Sequence, residues 1–128
     1  MVTKKDIFLD LRNLIASNIQ AVSNRVYSAF PKKKYVLPLI VIPNISRSAS
    51  QYSIDSNPNI DEYNVEIEVY TKTAQECDEI TDELFDLLKN NPVVGKKPAS
   101  YGEIDHLEYV DLDNKIIHKK TIALVYKY

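Results

Sequence analysis

The sequence is poor in the residues on which most site chemistry is built. Its 128 residues include one cysteine, two glycines and two histidines. The lone thiol, Cys77, excludes a disulfide within the chain and fits a reducing compartment. Together with His106 and His118 it falls short of a four-ligand Cys/His zinc site, so no metal is expected. The glycines, Gly95 and Gly102, cannot make G-x-G-x-x-G or G-x-x-x-x-G-K-[ST], which leaves no loop to cradle a cofactor's phosphates and no expected cofactor. Long apolar runs are also missing. The longest, Tyr35 to Pro43, is far below the ~20 residues of a membrane-spanning helix. The opening Met1 to Asp6 carries charge, and Asp10 and Arg12 interrupt the apolar residues after it, unlike a secretory signal. These absences point to a soluble intracellular domain with no membrane partner.

Catalytic candidates are equally thin. Cys77 lies among Glu76, Asp78 and Glu79, anions that raise a thiol pKa, so it reads as a small core residue and not a nucleophile. Glu66 and Glu68 share one face of an alternating segment, and Asp111 and Asp113 flank a turn. Paired carboxylates do acid–base work when an apolar environment raises one of them. Here they read as a wet strand face and a polar hairpin end. A hydrolase using Glu66 or Glu68 is a competing reading, as is a small regulatory ligand-binding domain. The expectation is that the chain is not an enzyme and has no catalytic residues.

The order of elements is legible. Thr3 and Asp6 form a variant capping box, followed by Ile7, Leu11, Ile15, Ile19 and Val22, with Leu14 beside them. That spacing predicts one apolar stripe on a helix of roughly five turns. Arg25 to Phe30 continues the helix or begins a short strand, and the β-formers Val26 and Tyr27 favour the strand. The apolar run Tyr35 to Ile42 suits a strand covered on both faces, with Pro38 at its start or at an edge. Residues 44–62 turn to Ser, Asn, Asp and Pro and read as a long polar loop. Tyr63, Val65, Ile67 and Val69 then alternate with polar neighbours, the clearest period-two signal in the chain. Thr73-Ala74-Gln75-Glu76 is a capping box ahead of the stripe Cys77, Ile80, Leu84, Leu87 and Leu88, which ends near Asn90-Asn91-Pro92. A loop from Val93 to Gly102, a strand Ile104 to Leu112, a turn at Asp113-Asn114 and a strand Ile116 to Tyr126 complete the chain. The prediction is one α+β domain over 1–128, two helices packed on a mostly antiparallel sheet, in the order α-(β)-β-β-α-β-β.

Charge is distributed unevenly. Residues 1–60 hold eight basic and three acidic side chains, a balance of +5, and residues 61–128 hold eight basic and fifteen acidic, a balance of −7. If folding keeps the two regions apart, the basic region of one copy can meet the acidic region of the next, in a contact that closes into a ring or runs on as a filament. The candidate pair is Lys32, Lys33 and Lys34 against the acidic helix face of Asp78, Glu79, Asp82, Glu83 and Asp86. The alternative is solvated charge without a partner. The acidic balance, with no basic stripe interleaved with aromatics, argues against ordinary nucleic-acid binding.

The long first helix, Arg25-Val26-Tyr27, the apolar Leu37 to Ile42, the polar loop, the alternating Val65 to Tyr70 running into a capped helix, and a terminal hairpin ending in Ile122 to Tyr126 together resemble the tail-terminator and tail-completion proteins of long-tailed bacteriophages. The resemblance spans nearly the whole chain as a pattern of elements. It implies an α+β virion subunit, assembled in the host cytoplasm, that forms a six-fold ring on the tail tube. Such a ring stops tube polymerisation, presents the head-joining surface, and lets DNA pass through its lumen. The implied partners are further copies of the chain, the tail tube protein and a head-completion or neck protein. A neck or head–tail connector protein is the related alternative. On this reading the polar loop orders on a partner, with Arg47, Tyr52 and Ile54 as candidate contacts.

Overall fold

The computed structural model describes residues 2–32, 34–51, 60–111 and 113–128, with 48–51 and 60 described in backbone only. Two helices lie on one face of a five-stranded sheet of order β1-β2-β3-β5-β4, and every pairing is antiparallel except β1 with β2. This is the α+β arrangement expected from the element order.

Helix α1 spans Lys4–Asn18. Thr3 caps it: its hydroxyl accepts from the Asp6 amide at 3.1 Å, and the Asp6 carboxylate accepts from the Thr3 amide at 2.9 Å. The predicted fifth turn is not helical. Asn18 turns its side-chain amide back onto the Leu14 carbonyl at 2.8 Å, Ile19 is already extended, and Ser23 has φ of 52°. A short polar side chain that bonds the last turn offers the backbone an alternative to propagation. Ile19 and Val22 are buried all the same, because the turns beyond Asn18 roll them under the core reached by Ile7, Leu11 and Ile15.

Strand β1 is only Val26–Tyr27, parallel to β2 at Leu39–Gln51. Strand β3 covers Ile60–Thr71. Residues 44–51 and 60–62, read from the sequence as loop, are therefore strand, paired from Asn44↔Glu66 to Gln51↔Ile60. Ile45 is the one apolar residue between Asn44 and Arg47, so the main-chain ladder builds this part of β2 without an apolar alternation to advertise it. Pro43, which cannot donate to a ladder, falls in the register shift between Val41 and Asn44.

Helix α2, Ala74–Asn90, buries Cys77, Ile80, Thr81, Leu84 and Leu88, while Leu87 is half-buried. The Thr73 hydroxyl accepts from the Glu76 amide at 3.1 Å, and among the described contacts only this half of the expected capping box is made. Strand β4 is Ser100–Val110, starting four residues earlier than predicted, and β5 is Ile116–Lys127. Leu112, the predicted end of β4, lies outside the described residues.

The sheet carries a core on each face. Between sheet and helices lie Ile40, Ile42, Tyr63, Val65, Ile67, Val69, Ile122 and Leu124 with the helix stripes. On the other face Leu39, Val41, Tyr70 and Ile117 are covered by Tyr27, Phe30, Tyr35 and Leu37. The run Tyr35 to Ile42 is thus divided: its second half is a strand buried on both faces, and its first half straps across part of the far face. Helix α1 packs on β1 and β2, and α2 on β3 and β5. The strand beyond them is β4, whose eleven residues are all exposed.

Candidate subunit interface

The sheet order sets most of the first half of the chain on one side of the molecule and the end of the chain on the other. Strands β1 and β2, with α1 packed on them, form one side, while β5 and β4, with α2 on the sheet beside them, form the other. The acidic candidates Asp78, Glu79, Asp82, Glu83 and Asp86 are all exposed on α2. Asp78 is not a free charge: Lys120 on β5 contacts it at 2.5 Å and also reaches Glu103 on β4 at 3.2 Å. The Lys120 ammonium holds the Asp78 carboxyl below its ordinary value, and Asp78 in turn raises Lys120. This triad fastens α2 to the β5–β4 hairpin, as does the Phe85–Tyr101 ring contact at 5.5 Å.

Lys32 and Lys34 are exposed, and Lys33 lies outside the described residues. The strap carries both lysines into an open groove that they share with Lys72, Lys115, Asp111 and Asp113. The basic candidates therefore stand beside two acids from the other half of the sequence, an interleaving that the charge count does not reveal. Asp111 organises this end of the molecule. Its Oδ1 accepts from the amides of Asp113 and Lys115 at 2.9 and 2.8 Å, and its Oδ2 accepts from the Tyr35 hydroxyl. The phenol bond lowers Asp111, and the same bond pushes Tyr35 up to about 12.

Arg47 sits on β2 and not in a loop, 3.2 Å from Asp61 on β3. Tyr52 and Ile54 fall outside the described residues. Glu68 has both oxygens engaged, one accepting from the Tyr70 hydroxyl at 2.9 Å and the other 3.1 Å from Lys119. Cys77 is buried with its Sγ 3.6 Å from the Val69 carbonyl; burial pushes the thiol up, and Asp78 adds only the smallest contribution. His106 Nε2 and His118 Nδ1 meet at 3.3 Å across β4 and β5. Among the described residues, no three His, Cys, Asp or Glu side chains converge to hold a metal ion. No helix among them is long and apolar enough to cross a membrane.

The surface feature that sequence reading missed is β4. Tyr101, Ile104, Leu107, Tyr109 and Val110 are between 38% and 57% exposed, and Ile116 just beyond the turn is 49% exposed. Its sequence signal is the absence of Lys, Arg and Pro from Ser100–Val110, the residues that normally blunt an edge strand. That signal means something only once β4 is known to be an edge.

No family model matches the chain, and no curated protein matches it. Among solved structures it is similar to a chain of the virion of a native gene transfer agent (GTA) particle, at 11% identity and a TM-score of 0.63 over 95% of each chain. At that identity the likeness is one of fold.

Proposed function

We propose that the chain is a structural subunit of a phage-like virion, which assembles into a six-fold ring on the end of the tail tube. The observation that carries this reading is the fold shared over 95% of both chains with a chain of a virion particle. The ring occupies the growing end of the tube, presents a different face to a head-completion or neck protein, and leaves a lumen through which DNA passes. Its action is steric: copies fit together and no substrate is transformed.

Contact between copies is heterologous. Lys32 and Lys34, on the strap of one copy, meet the exposed Glu79, Asp82, Glu83 and Asp86 of the next. Charges placed this way orient and speed the encounter more than they tighten it. Light scattering and electron microscopy of the purified chain are the direct test. Rings with a mass near six copies are expected, and a strict single copy at high concentration and low salt overturns the reading.

A further inference from the structure

Strand β4 is eleven residues long, lies at the end of the sheet, and is exposed on every residue. One flank pairs with β5, while the other presents main-chain groups that no strand among the described residues pairs. Natural sheets cover such an edge, shorten it, bulge it or charge it; β4 has no Lys or Pro, and its devices are three acids, Glu103, Asp105 and Glu108, and the register shift between Glu103 and Asp105. Five of the eight large apolar side chains that the described surface exposes stand on this strand. An edge of this kind takes an added strand, with the ladder providing affinity and the side chains selecting the partner.

Charge selects the partner here. Strand β4 carries Glu103, Asp105 and Glu108 and no Lys or Arg. Two β4 strands paired with each other would bring these acids together, which disfavours a two-fold dimer. The opposite edge has the complementary character. Arg12 donates to the Val26 carbonyl at 3.3 Å and Arg25 to the Pro38 carbonyl at 2.9 Å, so two guanidinium groups are anchored around β1, and neither forms an ion pair among the described residues. That edge also has main chain to offer. Only Ile40 and Val41 of β2 are paired with β1, and beyond Ile42 the flank of β2 has no described neighbour.

We infer that β4 is the seat of a second copy of this chain, which adds its β1-side edge to β4 so that one sheet continues from copy to copy, with Arg12 and Arg25 facing Glu103, Asp105 and Glu108. This rests on the self-assembly reading above and supplies its main-chain contact. Joining unlike edges leaves one β4 and one β1 edge free at the ends of any open chain of copies, and ring closure uses both.

Two full-length variants test the pairing: Asp105→Lys with Glu108→Lys, which leaves the Lys120 triad intact, and Arg12→Glu with Arg25→Glu. Each alone sets like charges across the contact and is expected to weaken self-association at least about tenfold at low salt. Mixed in equal amounts they restore it, because lysine-bearing β4 then meets glutamate-bearing β1 edges, and the native pair recurs at the alternate contacts. Failure of the mixture to assemble while both variants remain folded overturns the inference. Amide hydrogen exchange in the wild type needs no variant: residues 100–110 are expected to slow at least about tenfold between single copies and assemblies. Assemblies in which these amides exchange as fast as in single copies overturn the β4 seat and leave the ring reading standing. Protection that arises only when a different virion protein is added also overturns it. A wild-type chain that never assembles overturns both.

Discussion

The two edges of the sheet solve one problem in opposite ways. The first edge strand, β1, is two residues long, and Val26 on it is 2% exposed under α1. The last, β4, runs for eleven residues with Ile104 at 55% and Val110 at 57% exposure. A two-residue edge strand leaves an incoming chain mainly the flank of β2 beyond Ile42, whereas a long, bare strand offers a full template. The contrast teaches that this fold withholds its helices from one end of the sheet and leaves apolar residues there largely open to solvent, with Tyr101 on Phe85 and Tyr109 beside Tyr70 as their ring contacts.

That contrast can be broken directly. Val26→Ala removes buried methyl groups beneath α1 and is expected to cost about 2 kcal/mol in chemical denaturation. Ile104→Thr keeps a β-branched residue on the bare edge and is expected to change the stability of the single chain by no more than about 0.5 kcal/mol, while weakening assembly. Equal costs at the two sites would erase the distinction between the edges.

A smaller effect comes from the strap that ties the first half of the sequence to the end of the β4–β5 hairpin. Its bond from Tyr35 to Asp111 depends on an ionised carboxylate and a neutral phenol. The folded Asp111 value is depressed, so its stabilisation is present above the unfolded carboxylate value, ~3.9, and is lost as pH falls through the folded one. The folded Tyr35 value is raised to about 12, so its stabilisation is present below the unfolded value, ~10, and is lost as pH rises through about 12. Tyr35→Phe is therefore expected to lower the Tm between those limits and to converge with wild type towards each extreme, as thermal melts across pH will show. Equal melts at neutral pH would mean that the strap is held by Phe30, Leu37 and the ring of Tyr35 alone.

The smallest effect is expected at Tyr126. Its hydroxyl is buried and makes no hydrogen bond among the described residues, and burial pushes its pKa up. Replacing an unsatisfied hydroxyl leaves no new orphan behind, so Tyr126→Phe is expected to leave denaturant stability unchanged or slightly raised. A loss above about 1 kcal/mol would show that the hydroxyl has a partner.

Much of this architecture was legible residue by residue. The alternation at Tyr63, Val65, Ile67 and Val69 and the stripe at Cys77, Ile80, Leu84 and Leu88 both reached the core as read. The hydroxyl caps at Thr3 and Thr73 did mark helix starts, although the box closes reciprocally at Thr3 and only by its hydroxyl at Thr73. Residues 44–51 were misread because a strand held by its ladder and carrying little apolar surface has no alternation to betray it. At the candidate interface, the acidic row on α2 was visible as charge at helical spacing, whereas the capture of Asp78 by Lys120 joins residues 42 positions apart and leaves no local trace.

What the chain determined by itself was local: where the helices start, and which side of the periodic helix and strand segments is apolar. Such properties depend on neighbours within a turn or two, and side-chain spacing writes them directly into the order of residues. Tertiary structure alone decided that β4 is an edge, that Lys32 and Lys34 share a groove with Asp111, and that Lys120 ties Asp78 to Glu103. Those are facts about which distant segments become neighbours, and the order of strands in a sheet is set by how all the elements close over common cores, not by the composition of any one of them.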